Sequence, residues 1–415
     1  MAIIKPFKGL RPKAQDAASV ASRPYDVLNT AEAKAEAEGL PNSFLHVVKP
    51  EIDFPSDHDP YAPAIYQKGK DNFQRMVDEG IFSEDDTECL YIYRLEMGHV
   101  KQSGIVAAAS VQDYFDDVIK KHELTRPVKE EDRKNHVRVS QMNYEPVFFA
   151  YPNVSELDAV VTKIEQGTPA YDFTLDDGVR HVLWKVADTA TIEQITTLFA
   201  EKVPATYVAD GHHRTAAAAL VGREIAEANP NHTGNEKYNY FLAVHFPDNQ
   251  LEIIDYNRVV KDLNGHSEED FLKALENSFQ VEEAEGLYKP QMLHELSMYM
   301  NGKWYVLNAK SDTYDDNDPI GVLDVTILSK EVLEPLLGIK DLRRDSRIEF
   351  VGGIRGLEEL ERRVDNGEMK AAFALYPVSM QQLIDIADAG LTMPPKVTWF
   401  EPKLRSGLVV YKFGE

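Results

Sequence analysis

The chain has a single cysteine, Cys89. An intrachain disulfide and a cysteine-rich zinc site are therefore both excluded. Long apolar runs are missing too. Nothing approaches the roughly 18 to 20 consecutive apolar residues of a membrane-spanning helix, and no basic start is followed by an apolar stretch. These absences lead us to expect a cytoplasmic protein with no membrane partner. Positive charge is scarce as well: 45 Lys and Arg stand against 69 Asp and Glu, a formal net charge of −24. Nucleic acid is not the expected partner, because its phosphate backbone is bound chiefly by excess Lys and Arg. A small anion would need a local positive site working against a repulsive overall field. The common nucleotide signatures are also absent: there is no Gly-x-x-x-x-Gly-Lys-Ser/Thr loop and no His-Arg-Asp catalytic loop.

What is present is ample material for a buried core. The chain has 415 residues, 43% hydrophobic and 27% charged, the balance of a globular protein with two or three domains. Strand patterns alternate with helical ones, which predicts an α/β (α+β) fold. Three regions are read along the chain: residues 1–100, 101–262 and 263–415. The oligomeric state is not legible in the sequence.

The chemistry gathers in one stretch, Pro204 to Leu220. Tyr207 and Val208 read as the end of a buried strand, Asp210-Gly211 as a sharp turn, and Ala216 to Ala219 as a helix of high propensity. A strand-to-helix turn aims the first N–H groups of the helix, and the positive end of its dipole, at whatever lies above it. Gly211 would let a phosphate approach the backbone, and Arg214, with His212 or His213 as N–H donors, would add side-chain hydrogen bonds. Thr215, in the same first turn, is expected to join them in binding the phosphates. Asp210 is suited to hold Mg²⁺ between phosphates or to accept a proton, both of which phosphoryl transfer needs. Two other readings stay open: Asp210 as a simple helix cap, and Asp210 with the two histidines as a transition-metal site.

A second polar cluster runs from Lys121-His122-Glu123 through Arg126. Lys121 and Arg126 can neutralise phosphates, and Glu123 can act as general base or Mg²⁺ ligand, with His122 beside it. Downstream, Glu130 and Lys134 stand four apart in the favourable order, so Lys129 to Lys134 reads mainly as a solvated helix face.

The string Asp210-Gly-His-His-Arg214 resembles the nucleotide-binding motif of the ParB and sulfiredoxin superfamily, in the variant carried by free-serine kinases. Over its whole length the chain is similar to a bacterial family catalogued as domain of unknown function 1015. That similarity rests on Ser22-Arg-Pro-Tyr-Asp-Val27, Lys121-His-Glu-Leu-Thr-Arg-Pro127 with Lys129 to Arg133, the 210–214 motif, and Met393 to Lys403. The resemblance implies a ParB/sulfiredoxin-like nucleotide-binding core with additional N- and C-terminal α/β regions. It implies ATP or ADP as ligand, Mg²⁺ as companion, and a small-molecule substrate with a hydroxyl, free L-serine first among them. Two further functions remain: a nucleotide-binding switch without turnover, and a metal-dependent hydrolase built on Asp210, His212 and His213.

Elsewhere, Phe44 to Val48 reads as a strand, Gln291 to Tyr299 as a helix, and Leu323 to Leu337 as a helix with Pro335 near its end. Asn239 to Phe246 and Leu251 to Val260 read as a hairpin, whose Tyr256-Asn257-Arg258 would point back to the site. Asp315 to Asp318 lacks the glycine and glutamate of a calcium loop and reads as a surface turn. Gly352 to Gly356 is either a second anion-binding turn or a plain connection. The proline-stiffened Met393 to Lys403 segment is either a lid facing a ligand or a plug for the core.

Overall fold

The computed structural model describes residues 1–414, and the chain in it forms two units. One comprises Met1–Leu251 and the segment from Pro402; the other is Glu252–Glu401. Residues 1–251, which take in the first region and most of the second, lie in the first unit, while 252–262 lie in the second. The third region contributes its bulk to the second unit and its last residues to the first.

The first unit is built on a nine-stranded mixed sheet. Its order is Ile119–Lys120, Thr206–Asp210, Val147–Tyr151, Tyr240–Pro247, Val100–Ser110, Leu90–Met97, Arg180–Val186 and Tyr171–Thr174, with Ile4–Lys5 also paired to Val100–Ser110. Two pairings are parallel, 206–210 with 119–120 and 240–247 with 147–151. The small residues of Val100–Ser110 allow its neighbour close, since a Cβ at Gly104 would meet Val244 and Phe246 at 2.6 and 2.8 Å. Leu157, Val161, Ile195 and Phe199, from the helices Ser155–Glu165 and Thr189–Lys202, bury themselves against Ile92, Ile105 and Trp184 of the sheet. Each such side chain stabilises the fold by about 1.5–3 kcal/mol relative to exposure. A four-stranded sheet, Phe82–Glu84, Gly9–Pro12, Val410–Lys412 and Met142–Asn143, ties the two ends of the chain together.

Helix starts follow local chemistry. Asn29 and Glu32 form a capping box for Thr30–Glu36, and Pro127 occupies the first turn of Pro127–Ser140, where a missing N–H costs nothing.

The second unit has a six-stranded antiparallel sheet in the order Phe279–Glu283, Lys303–Ala309, Glu295–Met300, Ala371–Ala374, Tyr256–Val260 and Ile348–Gly352. Ile253–Ile254 pairs separately with Trp399–Phe400. Ser267 caps Glu268–Leu275, and Ser379 and Gln382 box the start of Met380–Asp388.

Several expectations are corrected. Leu45–Val48 is a helical turn, because so short a run, with Leu45, Val47 and Val48 buried around His46, carries too little period to separate helix from strand. Glu295–Met300 is a strand and not part of a helix. Asn301 and Gly302, both at positive φ, form the two-residue turn that folds it onto Lys303–Ala309. The 239–260 hairpin does not form: Tyr240–Pro247 pairs within the first unit, while Tyr256–Val260 pairs with Ile348–Gly352 and Ala371–Ala374 in the second. Asn257 accordingly serves its own unit, accepting from Leu375 N at 3.1 Å. The helix expected over 323–337 is Asp324–Leu328 followed by a wider π turn, Ser329–Leu333. Finally, Asp132, Arg133 and His136 are buried, so Pro127–Ser140 is no merely solvated face. Glu130 accepts from Thr125 at 2.6 Å, and Lys134 pairs with Glu131 and Glu224.

Candidate functional site

The strand Thr206–Asp210 ends where the helix His212–Ala228 begins, with Gly211 alone between them. Gly211 sits at φ 91°, a left-handed conformation that other residues reach only with strain, and a Cβ there would come within 3.1 Å of the Arg214 guanidinium. The turn expected from Asp210-Gly211 is present.

Arg214 is buried and folds back over the turn. Its Nη1 donates to the Pro146 carbonyl at 2.7 Å and its Nη2 to Asp210 Oδ2 at 3.3 Å, with Asp26 Oδ2 at 4.0 Å from the same nitrogen. Lys403 Nζ lies 3.5 Å from Asp210 Oδ2. Burial alone would push the Asp210 carboxyl up, but Lys403, then Arg214 and the Gly211 N–H, hold it below the usual carboxylate range. The turn therefore carries two cations gathered on one carboxylate. Burial works against the Arg214 charge, and Asp26, Asp210 and Glu145 overcome it, so the guanidinium is held firmly charged.

The histidines are placed differently from the expectation that they offer N–H groups to a ligand. His213 Nε2 takes the backbone N–H of Arg126 at 2.9 Å, so this nitrogen is an acceptor. Burial, then Arg126, lowers the His213 pKa. His212 is buried, with Nδ1 at 3.8 Å from Glu123 Oε2 and Nε2 without a partner. Burial holds it well below the ordinary histidine value. His122 packs edge-on against it, ring centroids 4.5 Å apart. Both His122 nitrogens are buried and unpartnered, and burial lowers its pKa to about 4.

The structure brings Glu123, His122, Asp210, Gly211, His212, His213 and Arg214 together with the backbone of Arg126. It turns two other predicted residues aside. Lys121 donates to the Tyr114 carbonyl at 3.0 Å and lies over the Tyr114 ring. The Thr215 hydroxyl donates to the Gly211 carbonyl at 3.0 Å. A transition-metal site on Asp210, His212 and His213 is not supported, since their donor atoms face different neighbours. Among the described residues no three His, Cys, Asp or Glu side chains are grouped to hold an ion. Asp210 also fits Mg²⁺ poorly, its Oδ2 already facing two cations.

Five participants, Tyr25, Asp26, Arg133, Glu145 and Lys403, were not among the site residues expected from the sequence. Glu145 accepts from Tyr25 N at 3.0 Å and from Ser406 Oγ at 3.3 Å, and faces Arg133 Nη1 at 3.5 Å. Arg133 in turn stacks on the Tyr25 ring at 3.8 Å. Burial raises the Glu145 carboxyl in spite of Arg214 and Arg133. Beside this network lies a small pocket, lined by Arg133, His136, Asn143, Glu145 and Arg214 with an apolar wall that includes Phe241. Tyr25 and Asp26 come from the Ser22 to Val27 string, and Lys403 from the Met393 to Lys403 string. Glu145 had no signal of its own in the sequence.

Among known proteins, residues 4–326 match the model of a family described as "Protein of unknown function (DUF1015)", and the chain belongs to that family. No curated protein matches. Solved structures that match include a mutant free serine kinase in complex with AMP, at 12% identity over 74% of this chain and 91% of that one, with a TM-score of 0.35. A conserved hypothetical protein from Pyrococcus furiosus matches at 15% identity, 74% and 95% coverage and a TM-score of 0.35. SbnI with a C-terminal truncation from Staphylococcus aureus matches at 11% identity, 74% and 87% coverage and a TM-score of 0.38. No helix of the described residues is long and apolar enough to cross a membrane.

Proposed function

We propose that this member of the family is a nucleotide-dependent phosphotransferase, acting on a small hydroxyl-bearing metabolite at the 210–214 turn. The observation that carries the reading is the pair of cations, Arg214 and Lys403, gathered on Asp210 at the N-terminus of a 17-residue helix. Such an end offers free N–H groups and a positive dipole to phosphate, and the cations supply local charge that the acidic chain as a whole does not. ATP or ADP would place its phosphates against the N–H groups of His212, His213 and Arg214.

In this reading Asp210 holds Arg214 and Lys403 in position, and no step is assigned to a metal on that carboxylate. Mg²⁺, where required, would arrive on the nucleotide phosphates. Glu123, 3.8 Å from His212 and more than a third exposed, accepts the proton of the substrate hydroxyl. His122 and His212, neutral and buried, form the wall behind it. Free L-serine is the first substrate to try, on the likeness of the Asp210 to Arg214 string to that of free-serine kinases.

The test is ³¹P NMR of the purified protein with Mg²⁺, ATP or ADP, and a pool of hydroxyl metabolites that includes L-serine. A new phosphomonoester that depends on one member of the pool supports the reading and names the substrate. Nucleotide that stays intact while protecting the protein against melting would replace it with a binding switch. Free phosphate alone would replace it with hydrolysis.

A further inference from the structure

One carboxylate at the 210–214 turn is left without a role. Asp26 Oδ2 lies 4.0 Å from Arg214 Nη2, the same nitrogen that Asp210 Oδ2 faces at 3.3 Å. Asp210 is faced by two cations, whereas the Asp26 side chain is 40% exposed and its carboxylate takes no hydrogen bond among the described residues. Its place is fixed all the same. Pro24 opens a tight turn, closed by Val27 N on the Pro24 carbonyl at 3.2 Å. The preceding residue, Tyr25, is pinned by its N–H on Glu145 at 3.0 Å and by the Arg133 guanidinium 3.8 Å from its ring.

Arg214 and Lys403 bring two positive charges to the turn, and Asp210 and Asp26 bring two negative ones. A nucleoside diphosphate would add several more negative charges, in a chain whose net charge is −24. The N-terminus of the His212–Ala228 helix offers only roughly half an elementary charge against them. A donor is nevertheless available at the turn. Arg214 is 7% exposed, its Nε is buried without a partner, and that nitrogen lies 3.1 Å from where a Cβ on Gly211 would stand. A phosphate oxygen that took this N–H would share one guanidinium with the Asp26 carboxylate. Two anions so close repel each other unless a further cation lies between them.

We infer that Asp26 is the residue of this chain that receives Mg²⁺, so that the turn takes its nucleotide only as the metal complex. Mg²⁺ suits such a position, because it keeps several of its waters and binds through one or two carboxylates together with the phosphates it accompanies. Asp210 does not offer this, its Oδ2 being faced by Arg214 and Lys403, and Glu123 faces His212 instead. The inference rests on the phosphotransferase reading for its nucleotide, and it adds a metal requirement and a ligand residue that the reading leaves open.

ADP should be titrated calorimetrically into full-length wild type, Asp26→Asn and Glu123→Gln, each once with EDTA and once with Mg²⁺. Wild type should bind ADP roughly ten- to a hundredfold more tightly with Mg²⁺, within the usual range of coupling between two ligands. Asp26→Asn should bind metal-free ADP about two- to fivefold more tightly than wild type does, since one exposed repulsive charge is gone, and should gain little from Mg²⁺. Glu123→Gln should keep the wild-type gain. If Asp26→Asn fails to fold, the wild-type pair of titrations still decides, because ADP that binds equally with and without Mg²⁺ overturns the inference. A gain that survives in Asp26→Asn, or that vanishes only in Glu123→Gln, overturns it as well and leaves the phosphate site standing. No binding of ADP under either condition would overturn the phosphotransferase reading and this inference with it.

Discussion

Replacing Asp210 by asparagine tests whether the turn is held as described. The carboxylate faces Arg214 Nη2 at 3.3 Å and Lys403 Nζ at 3.5 Å. With an effective dielectric near 20, each pair has a gross attraction of about 4–5 kcal/mol. Desolvation of the three groups cancels much of this, and a hydrogen bond to a charged group is worth about 1.5–3 kcal/mol net. Asparagine keeps the shape and one acceptor, so we expect a loss of about 2 kcal/mol near neutral pH, or roughly 4–8 °C in melting temperature for a unit of this size. The sign of the pH dependence follows from the lowered pKa. A depressed carboxylate contributes stability above its unfolded value, about 3.9, and loses it as the pH falls through the folded value. Urea unfolding of wild type and Asp210→Asn should therefore show a gap that is widest near neutrality and narrows below about pH 4. A variant as stable as wild type, or a gap that ignores pH, would refute the ion cluster.

Glu123→Gln should lower turnover while leaving nucleotide affinity and melting temperature nearly unchanged; a variant that unfolds would make Glu123 structural. His122→Phe should be neutral or stabilising by up to about 2 kcal/mol in chemical denaturation, because it removes two buried, unpartnered nitrogens. With a folded pKa of about 4, neutral His122 contributes stability that is present above about pH 6.5 and lost as the pH falls toward 4, and the phenylalanine variant should lack that loss. If His122→Phe abolishes turnover with the fold intact, the wall assignment is wrong. Gly211→Ala should cost at least about 1–2 kcal/mol from the left-handed backbone, and should weaken nucleotide binding by displacing the guanidinium 3.1 Å away. Calorimetry and thermal melting would check both effects.

Local chemistry was legible where one residue decides a conformation. Asp210-Gly211 required a turn, and short polar residues such as Asn29, Ser267 and Ser379 stand where helices start and accept from first-turn N–H groups. Glu295–Met300 was lost because its alternation was obscured, all six residues being buried, although Asn301-Gly302 held the turn signal. Glu145 could not be found from sequence. It reaches Arg214 only because Thr206–Asp210 pairs with Val147–Tyr151, which brings the entry to that strand beside the turn. Lys403 depends likewise on the C-terminal segment, where Val410–Lys412 pairs with Gly9–Pro12 and Met142–Asn143. Long-range pairing, invisible to local pattern, completed the site.

Calorimetric titration of ADP into wild type and Lys403→Met addresses the central claim most directly. The account predicts saturable binding to one site, weakened roughly ten- to a hundredfold when the ammonium beside Asp210 is removed while its apolar stem is kept. Absence of binding to the wild type, or equal affinity in the two proteins, would contradict the assignment of the 210–214 turn as a phosphate site.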